Sequence, residues 1–443
     1  MLIEYKVANF KSIGHEIIFS MMPDDGIPVD ENSVIEVETA DGTAIKLLKK
    51  AVLFGANASG KSSFVESIDF LSEYLRQDTP SGDILSIVPF KGDFEDLAGV
   101  TKYEVTFFSD KQIYKYILHL NSLGVKYEQL LLLEKEEFSS IFIRTENGSA
   151  IDIVGSGFFS EEDSKIIEVL KNTFGEQQKA KSFLYKLHDS NVKLIEPAYK
   201  WLIKILSIFP FSQYAANELR IYKDEVYRQN LSKYLKKYDT GIVDIYADVS
   251  MSLDEAASKY NMTPGLVNRV RKIAEESKGK EGGRIIRYGG ELLSIQVKNG
   301  EIEIYKIKNT HILNDHKVNF NLEDESSGTQ RLFDLIPVLD IVDNVSVILV
   351  DELDRSLHTS LAKTFLEDMI KRLKNSQFIF TSHNVALMEE DMFRFDEIWF
   401  IQKNSKGETR MCALSEYNLP EERKKNLIKD YLNGRFGGVP VIL

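Results

Sequence analysis

Residues 55–62 read Gly-Ala-Asn-Ala-Ser-Gly-Lys-Ser and match the phosphate-binding loop pattern G-x-x-x-x-G-K-[ST] over its full length. The apolar run at 51–54 precedes this loop, and apolar residues at helical spacing follow it from Phe64 to Leu75. Glycines let successive backbone N–H groups point at phosphate oxygens, and the following helix adds the positive end of its dipole. The sequence therefore predicts a strand, a phosphate-binding loop and a helix, with ATP as the ligand.

Each residue type in this loop has a predicted task. Lys61 is expected to reach the β- and γ-phosphates as a catalytic residue, and Ser62 is expected to hold Mg²⁺. The residues predicted to contact the nucleotide around them are Gly55, Asn57, Ala58, Ser59, Gly60 and Ser63.

An acidic pair follows a second apolar run, at 346–350, which has the composition of a central parallel strand buried on both faces. Asp351 is predicted to bind Mg²⁺ through water, and Glu352 to polarise the attacking water. Taken alone, such a pair is commonly a strand end that meets solvent. The phosphate-binding loop in the same chain favours the catalytic interpretation.

Two further motifs resemble those of ABC-type ATPases. Ser327, Gly328 and Gln330 match the ABC signature motif, with Thr329 in place of a glycine, and a predicted helix follows at 331–336. A serine hydroxyl and backbone amides at a helix start form an anion site. The resemblance implies that this site serves the γ-phosphate held by a second copy of the chain.

His383 ends the apolar stretch at 377–382 and resembles the switch histidine that contacts the γ-phosphate in this class. A single histidine at a strand end is more commonly structural. Its position after Asp351 and the signature motif, in the family order, favours the catalytic role. Residues 354–358 take the place of the D-loop, with His358 where many members carry aspartate. The glutamine that usually contacts Mg²⁺ is not located, and residues 89–91 are the candidate replacement.

The chain resembles the bacterial abortive-infection ATPases of the AbiL and RloA type, which include the ATPase subunit of the PARIS anti-phage system. The resemblance rests on the ATP motifs and on stretches at 9–13, 238–242, 325–332 and 431–440, in this order. We assign Asn9, Phe10 and Lys11 to the nucleotide-binding residues. The resemblance implies a separate effector protein, a toxin or nuclease of the Toprim type, and a phage trigger protein.

The strand and helix patterns around these residues predict an α/β fold with a mixed sheet, an antiparallel β lobe and an inserted helical domain. Strand patterns occur at 3–7, 17–19, 103–108, 114–118, 292–297 and 302–305, and the pair at 103–118 predicts a hairpin. A helical pattern from Trp201 to Phe209 is predicted to end at Pro210. The predicted domains are 1–154 and 284–420 for the ATPase head, 155–283 for the helical insertion and 421–443 for the tail.

The net charge, the cysteine count and the length of the apolar runs limit the kinds of partner that the chain can bind. The 443 residues carry a net charge of −13 and one cysteine, Cys412, and no apolar run is long enough to cross a membrane. We expect a cytoplasmic protein without membrane contact. Nucleic acid would need a local basic patch. The candidates are a helix-turn-helix pattern at 252–272 and a cluster at 233–238, and ordinary surface helices are favoured for both.

The motifs together predict a homodimer, or a larger oligomer built from dimers, that encloses and hydrolyses ATP and regulates a separate effector. An alternative is a DNA-maintenance ATPase similar to RecF that binds duplex DNA. A nucleotide-binding scaffold without turnover is disfavoured because Lys61, Asp351, Glu352 and His383 are all present.

Overall fold

The computed structural model describes residues 1–28, 30–76, 86–92, 99–147, 150–155, 157–173, 179–210, 221, 224–248, 251–276, 282–288, 291–298, 301–388, 392–417, 419 and 426–439. They form two compact units. The first unit contains residues 1–207, 342–353 and 369–443, and the second contains residues 208–341 and 354–368.

The strands are, in chain order, β1 (Leu2–Ala8), β2 (Ile17–Ser20), β3 (Val34–Glu38), β4 (Ala44–Leu48), β5 (Lys50–Phe54), β6 (Thr101–Ser109), β7 (Gln112–Asn121), β8 (Gly124–Glu134), β9 (Glu137–Asn147), β10 (Ala150–Gly155), β11 (Ile205–Ile208), β12 (Ile242–Ala247), β13 (Met251–Ser252), β14 (Gly282–Tyr288), β15 (Glu291–Lys298), β16 (Glu301–Tyr305), β17 (Ile307–Leu313), β18 (His316–Asn321), β19 (Val347–Val350), β20 (Gln377–Ser382), β21 (Ile398–Lys403) and β22 (Thr409–Ala413). The α-helices are α1 (Lys61–Arg76), α2 (Glu161–Thr173), α3 (Phe183–Asp189), α4 (Glu196–Ile203), α5 (Glu225–Lys237), α6 (Leu253–Lys259), α7 (Pro264–Glu276), α8 (Ser327–Leu335), α9 (Thr359–Ile370) and α10 (Leu427–Leu432).

A six-stranded mixed sheet carries the phosphate-binding loop, with the strand order β11-β19-β20-β5-β21-β22. β19, β20, β5 and β21 pair in parallel, and β22 pairs antiparallel to β21. Every residue of β5, β19 and β20 is buried. The apolar runs 51–54, 347–350 and 378–380 fit this position, since central parallel strands are covered on both faces.

A seven-stranded antiparallel sheet, of order β10-β9-β8-β7-β6-β1-β2, also lies in the first unit. The hairpin predicted at 103–118 is confirmed as β6 and β7, which pair antiparallel. Tyr5 of β1 donates a hydrogen bond of 2.8 Å to Ser67 of α1, and its ring meets that of Phe64 edge to face. The sheet thereby packs against the helix that follows the phosphate-binding loop. The α/β fold class is confirmed.

The helix predicted from Trp201 to Phe209 is wrong in its second half. α4 ends at Ile203, and β11 follows at once at Ile205–Ile208. Here the short apolar run of 205–208 lies at the edge of the mixed sheet. Helical spacing and a buried strand cannot be distinguished over so few apolar residues.

The second unit combines helices with two antiparallel sheets, β12-β17-β18 and β13-β16-β15-β14. The strands predicted at 292–297 and 302–305 are confirmed as β15 and β16. α6 and α7, joined by a short turn, share a hydrophobic core with the second of these sheets through Leu253, Val270 and Ile304. The region 155–283 therefore contains strands as well as helices and contributes to both units, and its role as a separate insertion stays a prediction. Within the described residues, no helix has the length and apolar character needed to span a membrane.

Candidate nucleotide-binding site

The phosphate-binding loop leaves β5 at Gly55 and enters α1 at Lys61. A Cβ atom on Gly55 would lie 2.3 Å from the carbonyl oxygen of Ile401. Gly60 has a φ of +114°, and a Cβ there would lie 2.0 Å from Thr409 Oγ1. Both distances are well inside van der Waals contact, so the loop keeps this path only with glycine at both positions.

The crest of the loop is accessible to a ligand. Asn57, Ala58 and Ser62 are exposed, whereas Ser59 and Gly60 are buried. Ala58 has a φ of 60°, in the left-handed region that side chains other than glycine rarely adopt. Backbone strain of this kind is concentrated at functional sites.

Lys61 is buried, and its ammonium lies inside the curl of the loop. Its Nζ donates hydrogen bonds to the carbonyl oxygens of Gly55 at 2.8 Å and Ala56 at 3.0 Å. Both acceptors are neutral, and a charged phosphate oxygen is a stronger acceptor for an ammonium group. The loop therefore holds Lys61 where it can exchange these partners for a phosphate.

A hydroxyl and carboxylate network joins α1, β19 and β20. Ser62 Oγ donates to Asp351 Oδ2 at 2.8 Å, and Thr381 Oγ1 donates to Asp351 Oδ1 at 2.7 Å. The backbone N–H of Glu352 donates to Thr381 Oγ1 at 2.8 Å. Asp351 is 3% exposed. Hydroxyl and carboxylate oxygens are the ligands that Mg²⁺ prefers, so Ser62 and Asp351 fit the ion that accompanies ATP.

Parallel pairing brings the candidate residues to one edge of the sheet. Val350 lies opposite Phe380, and Ser382 lies opposite Phe54, so β19, β20 and β5 all end at the same edge. Asp351 and Glu352 continue from β19, and the exposed His383 continues from β20. Ligands of open α/β sheets bind at this carboxyl edge. The sequence-predicted groups of the first unit thus lie together, and their catalytic roles stay predictions.

Thr381 is a site residue that sequence reasoning missed. It is fully buried in β20, two residues before His383, and it contacts both members of the acidic pair through Asp351 Oδ1 and the N–H of Glu352. Glu352 has a φ of 48°, in the left-handed region. Thr381 follows the apolar residues 378–380 of the strand, and a hydroxyl side chain at that point is the sequence signal that could have indicated it.

The N-terminal motif folds into a tight loop beside α1. Asn9 and Lys11 have positive φ values of 55° and 49°. The Lys11 ammonium pairs with Glu66 Oε2 at 2.7 Å, and Ser12 Oγ donates to Ser63 Oγ at 2.9 Å. The motif is therefore tied to the first turns of α1, and nucleotide contacts by Asn9 and Lys11 stay predictions.

Phe10 is buried in the core, unlike its neighbours Asn9 and Lys11. Its ring is 2% exposed and packs against Phe70 and Tyr103 at centroid distances of 6.1 and 6.3 Å. Its assignment to nucleotide binding gains no support from this position. The segment containing Pro89–Lys91 lies against the same loop, since Phe90 N–H donates to Asn9 Oδ1 at 2.9 Å. Its role in place of the glutamine that usually contacts Mg²⁺ stays a prediction.

The signature motif lies in the second unit, at the start of α8. Ser326 caps the helix by accepting the Thr329 N–H at 3.1 Å, and Ser327, the first helical residue, is exposed. A Cβ on Gly328 would lie 2.7 Å from the carbonyl oxygen of Ser356, so glycine allows the 354–358 turn to contact the helix. Gln330 Nε2 donates to the Glu325 carbonyl oxygen at 2.9 Å. An exposed serine at a helix N-terminus can bind an anion.

The structure gives little support for nucleic-acid binding at the two candidate surfaces, 233–238 and 252–272. Tyr238 is fully buried and donates a hydrogen bond to Asp368 Oδ2 at 2.9 Å, so its ring cannot stack on a base. Lys237 forms an ion pair with the same aspartate. In the pattern at 252–272, Arg271 of α7 pairs with Asp254 of α6 at 2.7 Å.

Comparison with known proteins gives one family. A family model described as "AAA domain, putative AbiEii toxin, Type IV TA system" matches residues 50–389. No curated protein matches the chain.

Among solved structures, the chain is similar to three SMC head domains. The SmcHead bound to the C-winged helix domain of ScpA is 12% identical, with a TM-score of 0.38 over 94% of this chain and 99% of that one. The Smc head domain with an extended coiled coil bound to the C-terminal domain of ScpA, derived from Pyrococcus furiosus, is 12% identical, with a TM-score of 0.38 over 97% and 99%. The SMC head domain from Thermotoga maritima is 13% identical, with a TM-score of 0.33 over 93% and 98%. Similarity at this level carries no functional information.

Proposed function

The chain belongs to the family described as "AAA domain, putative AbiEii toxin, Type IV TA system", and from that membership and the site geometry we propose that it binds Mg²⁺–ATP and hydrolyses it. The hydrogen bond between Ser62 and Asp351 is the observation that carries this proposal. It brings the last residue of the phosphate-binding loop to the acidic strand end, as a shared Mg²⁺ site requires.

The chain's own groups divide the work of hydrolysis. Backbone N–H groups from Gly55 to Ser62 bind the phosphates, and Lys61 neutralises their charge. Mg²⁺, when bound, polarises the phosphate oxygens. The Glu352 carboxylate orients the attacking water and accepts its proton, while His383 contacts the γ-phosphate.

We further propose that two chains close around the nucleotides, as the resemblance to ABC-type ATPases implies. In this arrangement the exposed Ser327 and the first N–H groups of α8 in one copy bind the γ-phosphate held by its partner. A twofold interface makes each such contact twice. ATP stabilises the closed dimer only through contacts that the open state lacks, and hydrolysis removes them.

Replacement of Glu352 by glutamine tests this cycle. Glu352→Gln keeps the shape of the side chain but cannot accept a proton, so phosphate release should fall by about 100-fold or more, within the range of general base catalysis. With ATP, native mass measurement should show an accumulated dimer. The matched control is Glu36→Gln, a glutamate exposed on β3. Unaltered hydrolysis in Glu352→Gln would remove this residue from its role.

The biological role proposed here is regulation of a separate effector in an abortive-infection system. The family description and the motifs at 325–332 and 431–440 support it. Cells carrying the chain with its neighbouring gene should resist phage, and Lys61→Ala should abolish the resistance. Resistance that persists with Lys61→Ala, at equal protein levels, would contradict a role for ATP in defence.

Duplex DNA binding is the second candidate and is less favoured. The net charge of −13 opposes it, and Lys237 and Arg271 are both engaged in ion pairs. A steep salt dependence of DNA affinity would restore it.

A further inference from the structure

The last described residues form a segment that turns back on the mixed sheet. α10 is followed by Gly434, Gly437 and Gly438, all in the left-handed region, with φ values of 78°, 69° and 71°. The Tyr431 hydroxyl donates a hydrogen bond of 2.9 Å to the Gly438 carbonyl oxygen, in a buried position. Burial raises the pKa of Tyr431 to about 12, so its hydroxyl remains a donor at neutral pH. We call residues 431–438 the closing segment.

Aromatic stacking attaches the closing segment to β21. The rings of Tyr431 and Phe436 both stack on Phe400, at centroid distances of 5.2 and 5.1 Å. The Tyr417 hydroxyl donates to the Phe436 carbonyl oxygen at 3.0 Å. Phe400 lies opposite Phe54, the residue immediately before the phosphate-binding loop. The segment is therefore anchored on the strand that borders the base of the loop.

Gly438 lies beside the first residue of the loop itself. A Cβ on Gly438 would lie 3.4 Å from Gly55 Cα and 3.3 Å from the Ile401 carbonyl oxygen. The Gly55 carbonyl oxygen accepts the hydrogen bond from Lys61 Nζ. The closing segment is therefore adjacent to Gly55, the residue whose carbonyl oxygen holds the lysine.

We propose that the closing segment is a positioning element for the phosphate-binding loop, and that Gly438, Tyr431 and Phe436 act on nucleotide binding through Gly55 and Lys61. Gly55 lies directly against Ile401, with no room for a Cβ, and Gly438 lies beside both residues. Displacement of Gly438 would shift the Gly55 carbonyl group and the lysine that it holds. This inference rests on the proposed nucleotide function.

Gly438→Ala tests the proposal, with Gly42→Ala in the turn between β3 and β4 as the matched control. Gly438 and Gly42 have positive φ values of 71° and 86°, so alanine introduces similar backbone strain at both positions. A Cβ on Gly42 would lie 3.9 Å from Glu38 Oε1, its nearest described neighbour, whereas one on Gly438 would lie 3.3 Å from the Ile401 carbonyl oxygen and 3.4 Å from Gly55 Cα. Both variants should lower the melting temperature to a similar extent. Only Gly438→Ala should also weaken binding of a fluorescent ATP analogue, by about tenfold.

Tyr431→Phe provides a second test that preserves packing. It removes the hydrogen bond to the Gly438 carbonyl oxygen and leaves the ring stack in place, and it should weaken nucleotide binding about threefold, as expected for one hydrogen bond. If Gly438→Ala does not fold, this variant decides the question. Wild-type nucleotide affinity in a folded Gly438→Ala protein would overturn the inference. If Gly438→Ala does not fold, wild-type nucleotide affinity in Tyr431→Phe would overturn it. Absence of binding in the wild type would instead overturn the proposed function.

Discussion

The Ser62 hydroxyl lies 2.8 Å from Asp351 Oδ2 and joins the phosphate-binding loop to the acidic end of β19. Thr381 holds the other oxygen of the same carboxylate. Both oxygens of a buried carboxylate thus accept hydrogen bonds from hydroxyl groups, so the chain's own residues set the orientation of Asp351. This preorganised pair places the proposed Mg²⁺ site at one edge of the mixed sheet.

Asp351→Asn should separate nucleotide binding from Mg²⁺ binding. The amide keeps most hydrogen bonds of the site but loses the charge that attracts the ion, so the affinity for Mg²⁺ at saturating ATP should fall about 10–100-fold. ATP binding in EDTA should change little. The measurement is a Mg²⁺ titration of the bound fluorescent ATP analogue, with the exposed Asp343 changed to asparagine as the control. Equal Mg²⁺ affinity in Asp351→Asn and wild type would contradict the assignment.

Thr381→Val should impair turnover more than binding. Valine fills the buried space but leaves Asp351 Oδ1 and the Glu352 N–H without their hydroxyl partner, at a cost of about 1–3 kcal/mol in unfolding free energy. Phosphate release should fall about tenfold, with ATP affinity close to that of the wild type. Thr381→Ser restores the hydroxyl and should recover most of the activity. Full turnover in Thr381→Val would show that Thr381 only fills space.

Glu128 offers a prediction about the stability of the first unit. It is fully buried and accepts hydrogen bonds from Tyr116 at 2.9 Å, from Ser182 at 2.7 Å and from two N–H groups at the start of α3, and it pairs with Arg144 at 3.4 Å. Glu128→Ala leaves the buried arginine without its carboxylate, so urea denaturation should show a loss of about 3–5 kcal/mol.

The exposed Glu136 provides the control for that measurement, because Glu136→Ala should change unfolding by less than about 0.5 kcal/mol. A Glu128→Ala protein as stable as Glu136→Ala would contradict the view that this carboxylate joins the β-sheet to α3.

Local motifs predicted the parts of the site that depend on short sequence spacing. The loop at 55–62, the acidic pair at 351–352 and His383 follow three apolar strands, and parallel pairing places them at one sheet edge. The hairpin at 103–118 was also predictable, because two β-rich runs surround a short polar turn. These features are encoded within about twenty residues each.

Features that depend on distant contacts were not predictable. Gly438 lies beside Gly55 although the two glycines are far apart in the sequence, and nothing in the local pattern of either glycine indicates the other. Thr381 acquires its role only because β20 lies beside β19. The strand at 205–208 was missed because a run of four residues with three apolar side chains fits a helix end equally well.

Mixing two inactive variants tests whether copies share their sites. Lys61→Ala removes the loop lysine, and Ser327→Arg places a bulky cation at the start of α8. In a twofold dimer of one Lys61→Ala chain and one Ser327→Arg chain, one of the two nucleotide sites has both groups intact. Random mixing of equal amounts makes about half of the dimers mixed, so phosphate release should recover to about one quarter of the wild-type rate. No recovery, although mixed dimers form, would contradict completion of each site by the partner.

The central claim is that the start of α8 in one copy completes the nucleotide site of another, and Ser327→Arg in the Glu352→Gln background tests it most directly. The measurement is native mass with saturating Mg²⁺–ATP, paired with the ATP dissociation constant. We predict that Glu352→Gln alone forms dimers, whereas the double variant binds ATP in its own loop but remains monomeric. An ATP-dependent dimer of the double variant, as abundant as that of Glu352→Gln, would contradict the account.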